Sequence, residues 1–165
     1  RAFRTQITVS TRSRPPRRAQ RAVEIGCGTG VLALGVLQKF PGLSLHCVDA
    51  DVLAVRATQS NLSAHAPEAA WTVSVSDVWS TIQKGPNREL DLVVSNPPIH
   101  FGKRRSYSVV QRLISGAAQR LRPFGELWMV VQSSVPVQDM ATGWNSEVML
   151  SRAGFTVWRL RLRRV

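Results

Sequence analysis

The sequence predicts an α/β fold built on an open, mostly parallel sheet, and three observations carry that prediction. From Ala22 onward, short runs of β-branched and aliphatic residues alternate with stretches whose apolar residues recur at helical spacing. The first run leads through the glycine-rich "VEIGCGTG" into a helical stretch. The last two strand-like runs are joined by only "RAG", too short for a crossover helix, so they must pair antiparallel. Strand–helix units linked by right-handed crossovers form a parallel sheet with helices on both faces. Five such strands and a C-terminal hairpin make a seven-stranded sheet.

In order, "RAVEIG" reads as a buried strand and "VLALGVLQKF" as a helix ended by Pro41 and Gly42. "LSLHCVD" is a second strand, and "DVLAVRATQSNLSAH" a helix with Asp51 as its N-cap. "WTVSVSD" and "ELDLVVS" supply the third and fourth strands. "YSVVQRLISGAAQRL" spaces its apolar residues as an amphipathic helix, and "GELWMVVQ" is the fifth strand. "SEVMLS" and "FTVWRLRLRR" form the hairpin. Trp71, Trp79, Trp128 and Trp158 lie in apolar patterns and are expected in the core.

The 165 residues suit one domain, expected over residues 22–165. Residues 1–21 differ: they hold seven arginines and no acid, with Pro15 and Pro16 in the middle. They read as a basic N-terminal arm, either flexible, or a remnant of an upstream region, or an organelle-targeting segment, which would be Arg- and Ser-rich. The first residue is not Met, which suggests a fragment or a processed chain. The net charge is +12, mostly from arginine, whose planar fork suits phosphate. A polyanionic partner such as nucleic acid is therefore expected, against a surface that is merely basic. No run approaches the ~20 apolar residues of a membrane helix, so no membrane partner is expected. Cys27 and Cys47 form no disulfide framework, and neither they nor His46, His65 and His100 have metal-ligand spacing. An intracellular, cytoplasmic setting and no metal are expected; the N-terminal arm keeps an organelle open.

The glycine loop carries chemistry. Gly26, Gly28 and Gly30 let the backbone turn sharply and approach a ligand where a Cβ would collide. The spacing is G-x-G-x-G, not the G-x-G-x-x-G of dinucleotide binding, and Glu24 precedes it. A pyrophosphate would be repelled by Glu24, whereas an ammonium group would be attracted. Asp49 ends the second strand, where nucleotide-binding α/β folds place a carboxylate for ribose hydroxyls. Asp77 ends the third strand and is placed to accept a hydrogen bond from an adenine amino group. Each Asp alone also reads as a solvated turn or cap, and Asp51 competes with Asp49. Three acids at successive strand ends are harder to dismiss. An ammonium, a ribose and an adenine without phosphate describe S-adenosylmethionine.

With these features the chain resembles the class I methyltransferases, over about residues 22–163. That resemblance implies a Rossmann-like fold and S-adenosylmethionine as cofactor. "VVSNPPIHFG" deepens it. Two prolines stop strand pairing directly after Asn96 and present its amide on a rigid turn. In these enzymes Asn-Pro-Pro-aromatic after the fourth strand marks methylation of a planar nitrogen. The resemblance makes Asn96 the acceptor for the amine hydrogens, with Pro97 and Pro98 holding its orientation. Ile99 stands where the motif has an aromatic residue, and offers only apolar contact to a base.

The stretch "SNPPIHFG…QRLISGAAQRLRPFGELWMVV" is similar to the small-subunit ribosomal RNA guanine-N2 methyltransferases. Their Asn-Pro-Pro-Phe-His, "LI-x-GA" and "GGEL" are matched by Ser95–Pro98, His100, Leu113, Ile114, Gly116, Ala117, Gly125, Glu126 and Leu127. The implied target is the exocyclic 2-amino group of a guanine unstacked from ribosomal RNA, bare or in the small subunit. Ile99 and His100 are candidate base contacts, and Lys103, Arg104 and Arg105 candidate phosphate contacts. A turn residue and a solvated loop are the alternatives for His100 and the basic cluster. The family carries a degenerate methyltransferase-like domain upstream, where only the basic arm stands here. Competing expectations are an adenine amine or a protein glutamine as acceptor, or a degenerate fold that only binds RNA. The expected oligomeric state is a monomer.

Overall fold

The computed structural model describes residues 21–83, 89–98, 100–101, 104–105 and 107–163. In chain order they form β1 (Arg21–Ile25), α1 (Val31–Lys39), β2 (Ser44–Asp49), α2 (Val52–His65), β3 (Trp71–Val75) and β4 (Leu90–Ser95). The two-residue strands β5 (His100–Phe101) and β6 (Arg104–Arg105) follow, then α3 (Ser108–Arg120) and β7 (Leu121–Gln132). A single turn, α4 (Val137–Met140), precedes β8 (Trp144–Arg152) and β9 (Phe155–Leu162).

Seven strands make one sheet in the order β3-β2-β1-β4-β7-β9-β8, and β5 pairs β6 apart from it. The first five are parallel, whereas β9 runs antiparallel to both β7 and β8. This is the expected mostly parallel sheet, with the hairpin folded back so that its last strand lies inside and β8 at the edge.

Two apolar clusters cover the sheet's faces. One joins Ala33, Val36 and Leu37 of α1 and Leu62 of α2 to Leu45, Cys47, Leu92 and Val94. The other joins Val109, Val110, Leu113, Ile114 and Ala117 of α3 to Val23, Val48, Val93, Leu127 and Met129. Alternate residues of β4 thus face opposite helical layers, and Asp91–Ser95 are buried throughout. A strand covered on both sides reads as the continuous apolar run "LVV" rather than as an alternation.

The structure differs from the sequence prediction in three places. β7 begins four residues early, at Leu121, because α3 ends at Arg120 and the chain passes straight into pairing with Leu90. The register then slips between Leu90 and Leu92, so Arg122–Phe124 bulge outward, with Phe124 at φ 69 and 69% exposed, while Gly125 is buried. The β5–β6 hairpin and α4 are too short to leave a periodic signal. Trp79 and Trp144 are buried, while Trp71, Trp128 and Trp158 are half-buried and packed on the core.

Candidate functional site

The chain order places a switch point beside β1. After β1 the chain moves outward through β2 and β3, then returns to lay β4 on the other side of β1. The carboxyl ends of β1 and β4 therefore diverge into a crevice, where open α/β sheets bind ligands. Gly26–Gly30 leave one lip of this crevice, and Asn96–Pro98 leave the other.

The glycine loop is tied down from three sides. The Gly26 and Cys27 amides donate to the Val48 carbonyl at 2.8 and 3.0 Å, docking the loop on β2. Asp49 accepts from the Gly28 amide at 2.9 Å through Oδ2, and from the Asp51 amide at 3.0 Å through Oδ1. From α2, the Thr58 hydroxyl donates to the Gly28 carbonyl at 3.0 Å and the Asn61 amide to the Thr29 carbonyl at 2.8 Å. Gly28 and Gly30 have φ of 56° and 78°, which L side chains rarely adopt. At Gly30 a Cβ would also press on Thr58, 3.1 Å from its Cγ2, whereas at Gly26 and Gly28 it would meet open space. The loop is thus rigid behind and open in front.

Glu24 lies beneath this loop, 1% exposed, with the Cys47 thiol donating to Oε2 at 3.7 Å. Burial raises its pKa to about 8, against lowering by the Cys47 thiol and the Ala33 amide. Both cysteines are buried free thiols; burial pushes Cys27 up to about 11 and Cys47 further up.

Asp49 is half-buried, and each oxygen keeps a lone pair beyond its amide partner. Asp77 is more exposed. Its two oxygens accept from the Arg112 guanidinium at 3.0 and 2.9 Å, a bidentate pair reaching from α3. Asp51 caps α2, accepting from the Leu53 amide at 2.8 Å. Val31, Val52 and Leu53, at the first turns of α1 and α2, are large apolar residues left exposed around the loop.

Across the crevice, the Ser95 hydroxyl is buried and donates to the Ile25 carbonyl at 2.7 Å. This bond joins the last residue of β4 to the last of β1, and so fixes the Asn-Pro-Pro turn against the glycine loop. Asn96 is exposed, Pro97 buried and Pro98 exposed, so a buried proline anchors the turn while the amide projects. Ile99 and Lys103 lie outside the described residues, as do the side chains of His100, Arg104 and Arg105; the backbones of the last three form the β5–β6 hairpin.

Thr58, Asn61 and Arg112 are not singled out by the sequence reading, and Ser95 enters it only as the first residue of the matched Ser-Asn-Pro-Pro stretch. Thr58 interrupts the apolar stripe Val55–Leu62 of α2, which is a readable signal. Arg112 has none, because Asp77 is 35 residues away. A cavity of about 260 Å³ opens at the opposite edge, between Arg21, Ser44, His46, Gln83, Glu89 and Arg120. It lies at the amino ends of β1, β2 and β4, away from every residue above, so the strand ends and not this void mark the site. Among the described residues no group of three His, Cys, Asp or Glu is placed to hold a metal, and no helix is long and apolar enough to cross a membrane.

A switch-point crevice with a glycine loop on one lip and Asn-Pro-Pro on the other defines the Rossmann-like methyltransferase architecture. The chain belongs to the methyltransferase small domain family, whose pattern matches residues 5–159. It is similar to ribosomal RNA small subunit methyltransferase C of Actinobacillus pleuropneumoniae serotype 3, 35% identical over 136 residues, covering 82% of this chain and 40% of that one. The protein of the same name from Escherichia coli O7:K1 is 32% identical over 162 residues, covering 97% of this chain and 45% of that one. The chain thus spans less than half the length of these curated relatives. Among solved structures, a T. thermophilus 16S rRNA N2 methyltransferase in complex with AdoMet and guanosine superposes with a TM-score of 0.75 at 25% identity, covering 88% of this chain and 38% of that one.

Proposed function

We propose that this chain transfers a methyl group from S-adenosylmethionine to the exocyclic 2-amino group of a guanine in small-subunit ribosomal RNA. The observation that carries the reading is the Ser95–Ile25 bond, which sets the Asn-Pro-Pro turn beside the glycine loop. The names of its relatives support the same substrate.

The residues present fit the cofactor. The loop front is open at Gly26 and Gly28, and residues 24–34 carry no Lys or Arg, as suits a ligand without phosphate. Asp49 has lone pairs left for ribose hydroxyls, Asp77 for an adenine amine, and Val52 and Leu53 offer apolar contact to a purine face. Glu24, raised to a pKa of about 8, favours a cation above the loop through the carboxylate form that the cation itself stabilises. Bound S-adenosylmethionine supplies a methyl group on a positively charged sulfur.

The protein's contribution is placement. The guanine amine is a weak nucleophile because its lone pair is delocalised into the ring. Asn96, through its side-chain carbonyl, and Pro97, through its backbone carbonyl, accept the two amine hydrogens and stabilise the positive charge that develops on nitrogen. The surplus proton leaves to solvent after transfer, so no strong base is needed. Ile99 and His100 are assigned to the base, and Lys103, Arg104 and Arg105 to RNA phosphates. On this reading the chain works as a monomer, in the cytoplasm with the ribosomal RNA it modifies.

The test is transfer from labelled S-adenosylmethionine to small-subunit ribosomal RNA, with Asn96→Ala alongside. Label in guanine is expected, falling by roughly 100-fold or more in the variant, as when a preorganised polar partner is removed. Equal labelling by both proteins would remove Asn96 from the mechanism, and label in adenine or protein would replace the substrate.

A further inference from the structure

One face of α3 clasps the segment that follows β3. Arg112, Gly116 and Arg120 stand four residues apart, so their side chains share a face. Arg112 holds Asp77 by both carboxylate oxygens and also donates to its backbone carbonyl at 3.2 Å. The Trp79 indole N–H donates to the Arg112 carbonyl at 3.0 Å, and its ring fills the space above Gly116, where a Cβ would overlap it. Arg120 donates to the Ile82 carbonyl at 3.1 and 2.7 Å and stacks its guanidinium 4.7 Å from the Trp79 ring centre. Asp77 is thus the outer end of a loop fastened to the helix at three successive turns.

The pairing restricts Asp77 without covering it. A bidentate guanidinium uses one lone pair on each oxygen and fixes the carboxylate plane, which a lysine would not do. The Asp77 side chain remains 64% exposed, so its other lone pairs stay open to a further donor. An isolated surface aspartate would rotate freely and discriminate poorly between ligands; this one has a defined direction.

We propose that Arg112 is a positioning residue that orients the Asp77 carboxylate towards the adenine amino group of the cofactor, so that preference for adenine over a purine lacking that amine depends on α3. This rests on the cofactor reading above and adds a residue to it. Because α3 starts directly after the β5–β6 hairpin that follows Asn-Pro-Pro, the same helix joins the adenine end of the crevice to its substrate end.

Calorimetric titration with S-adenosylhomocysteine and with S-inosylhomocysteine, which has a carbonyl oxygen in place of the amine, tests this. The wild-type chain is expected to prefer the adenine compound by roughly tenfold or more, the loss of about one charge-assisted hydrogen bond. Arg112→Ala should abolish most of that preference by weakening the adenine compound alone. Arg112→Lys should behave nearly as Ala, since it restores charge but not the fork. A role confined to holding the fold would weaken both ligands equally and leave their ratio unchanged, which would overturn the proposal. Should Arg112→Ala fail to fold, Arg112→Lys with an unchanged ratio would overturn it too. Binding of neither ligand to the wild-type chain would overturn the cofactor reading itself, and the proposal with it.

Discussion

Glu24 is the residue whose chemistry departs furthest from its ordinary state. Held at a pKa of about 8 by burial, it is largely protonated at neutral pH, a carboxylic acid under a loop proposed to receive a cation. Its folded pKa lies above the unfolded value, so the folded state binds the extra proton. The stability from this group is fully present below about pH 4.5 and is lost progressively as pH rises through about 8. Glu24→Gln should flatten that part of the pH–stability profile, read from urea melts at pH 5 and pH 8; parallel profiles would place the titration elsewhere. A bound cation shifts the balance back towards the carboxylate. Cofactor binding near pH 7 should then release protons in the wild-type chain and fewer in Glu24→Gln, measurable by titrating in two buffers of different ionisation enthalpy.

At the scale of elements, α3 gives the sharpest prediction. Gly116→Ala forces a methyl into the Trp79 indole, and an overpacked site of this kind costs about 1–3 kcal/mol. A lowered urea midpoint is expected, and an unchanged one would mean that the segment after β3 moves aside freely. Gly116 also shows how much of the fold was legible. The alternation of strands and helices, the antiparallel tail and the glycine loop follow from periodicity and turn residues, which are local properties. So does the Asn-Pro-Pro turn. Why α3 needs a glycine is not local, since the ring it accommodates is 37 residues earlier in the chain (Trp79 to Gly116). The same holds for Asp77: its place at a strand end was readable, its grip by Arg112 was not. Phe124 and the bulge in β7 escape the sequence for a related reason, because the slip arises from pairing with β4 and not from any signal in "LRPFG". That an acid precedes the glycine loop is readable locally, whereas the burial of Glu24 is not, because it comes from the layers covering both faces of β1.

The whole molecule carries a net charge of +12, and the proposed substrate is a polyanion. Affinity for ribosomal RNA should therefore fall steeply with salt, by at least about tenfold between roughly 50 and 200 mM, as neutralised phosphates release their counterions. A filter-binding series measures this, and salt-insensitive binding would separate the charge from RNA recognition. The strand order β3-β2-β1-β4-β7-β9-β8 has a further bearing, on how the chain comes together in time. β1, β2 and β3 are neighbours in the sheet and consecutive in synthesis, so their pairing needs nothing made later. β7 is made before its antiparallel partner β9, which follows β8 in the chain and fills the place beside β7. Until β9 arrives, β7 carries an open backbone edge next to Leu127, Met129 and Val131, a surface prone to pair with another chain. β9 is the closing stitch of the sheet, and a chain cut short after β8 would be left sticky rather than merely shorter.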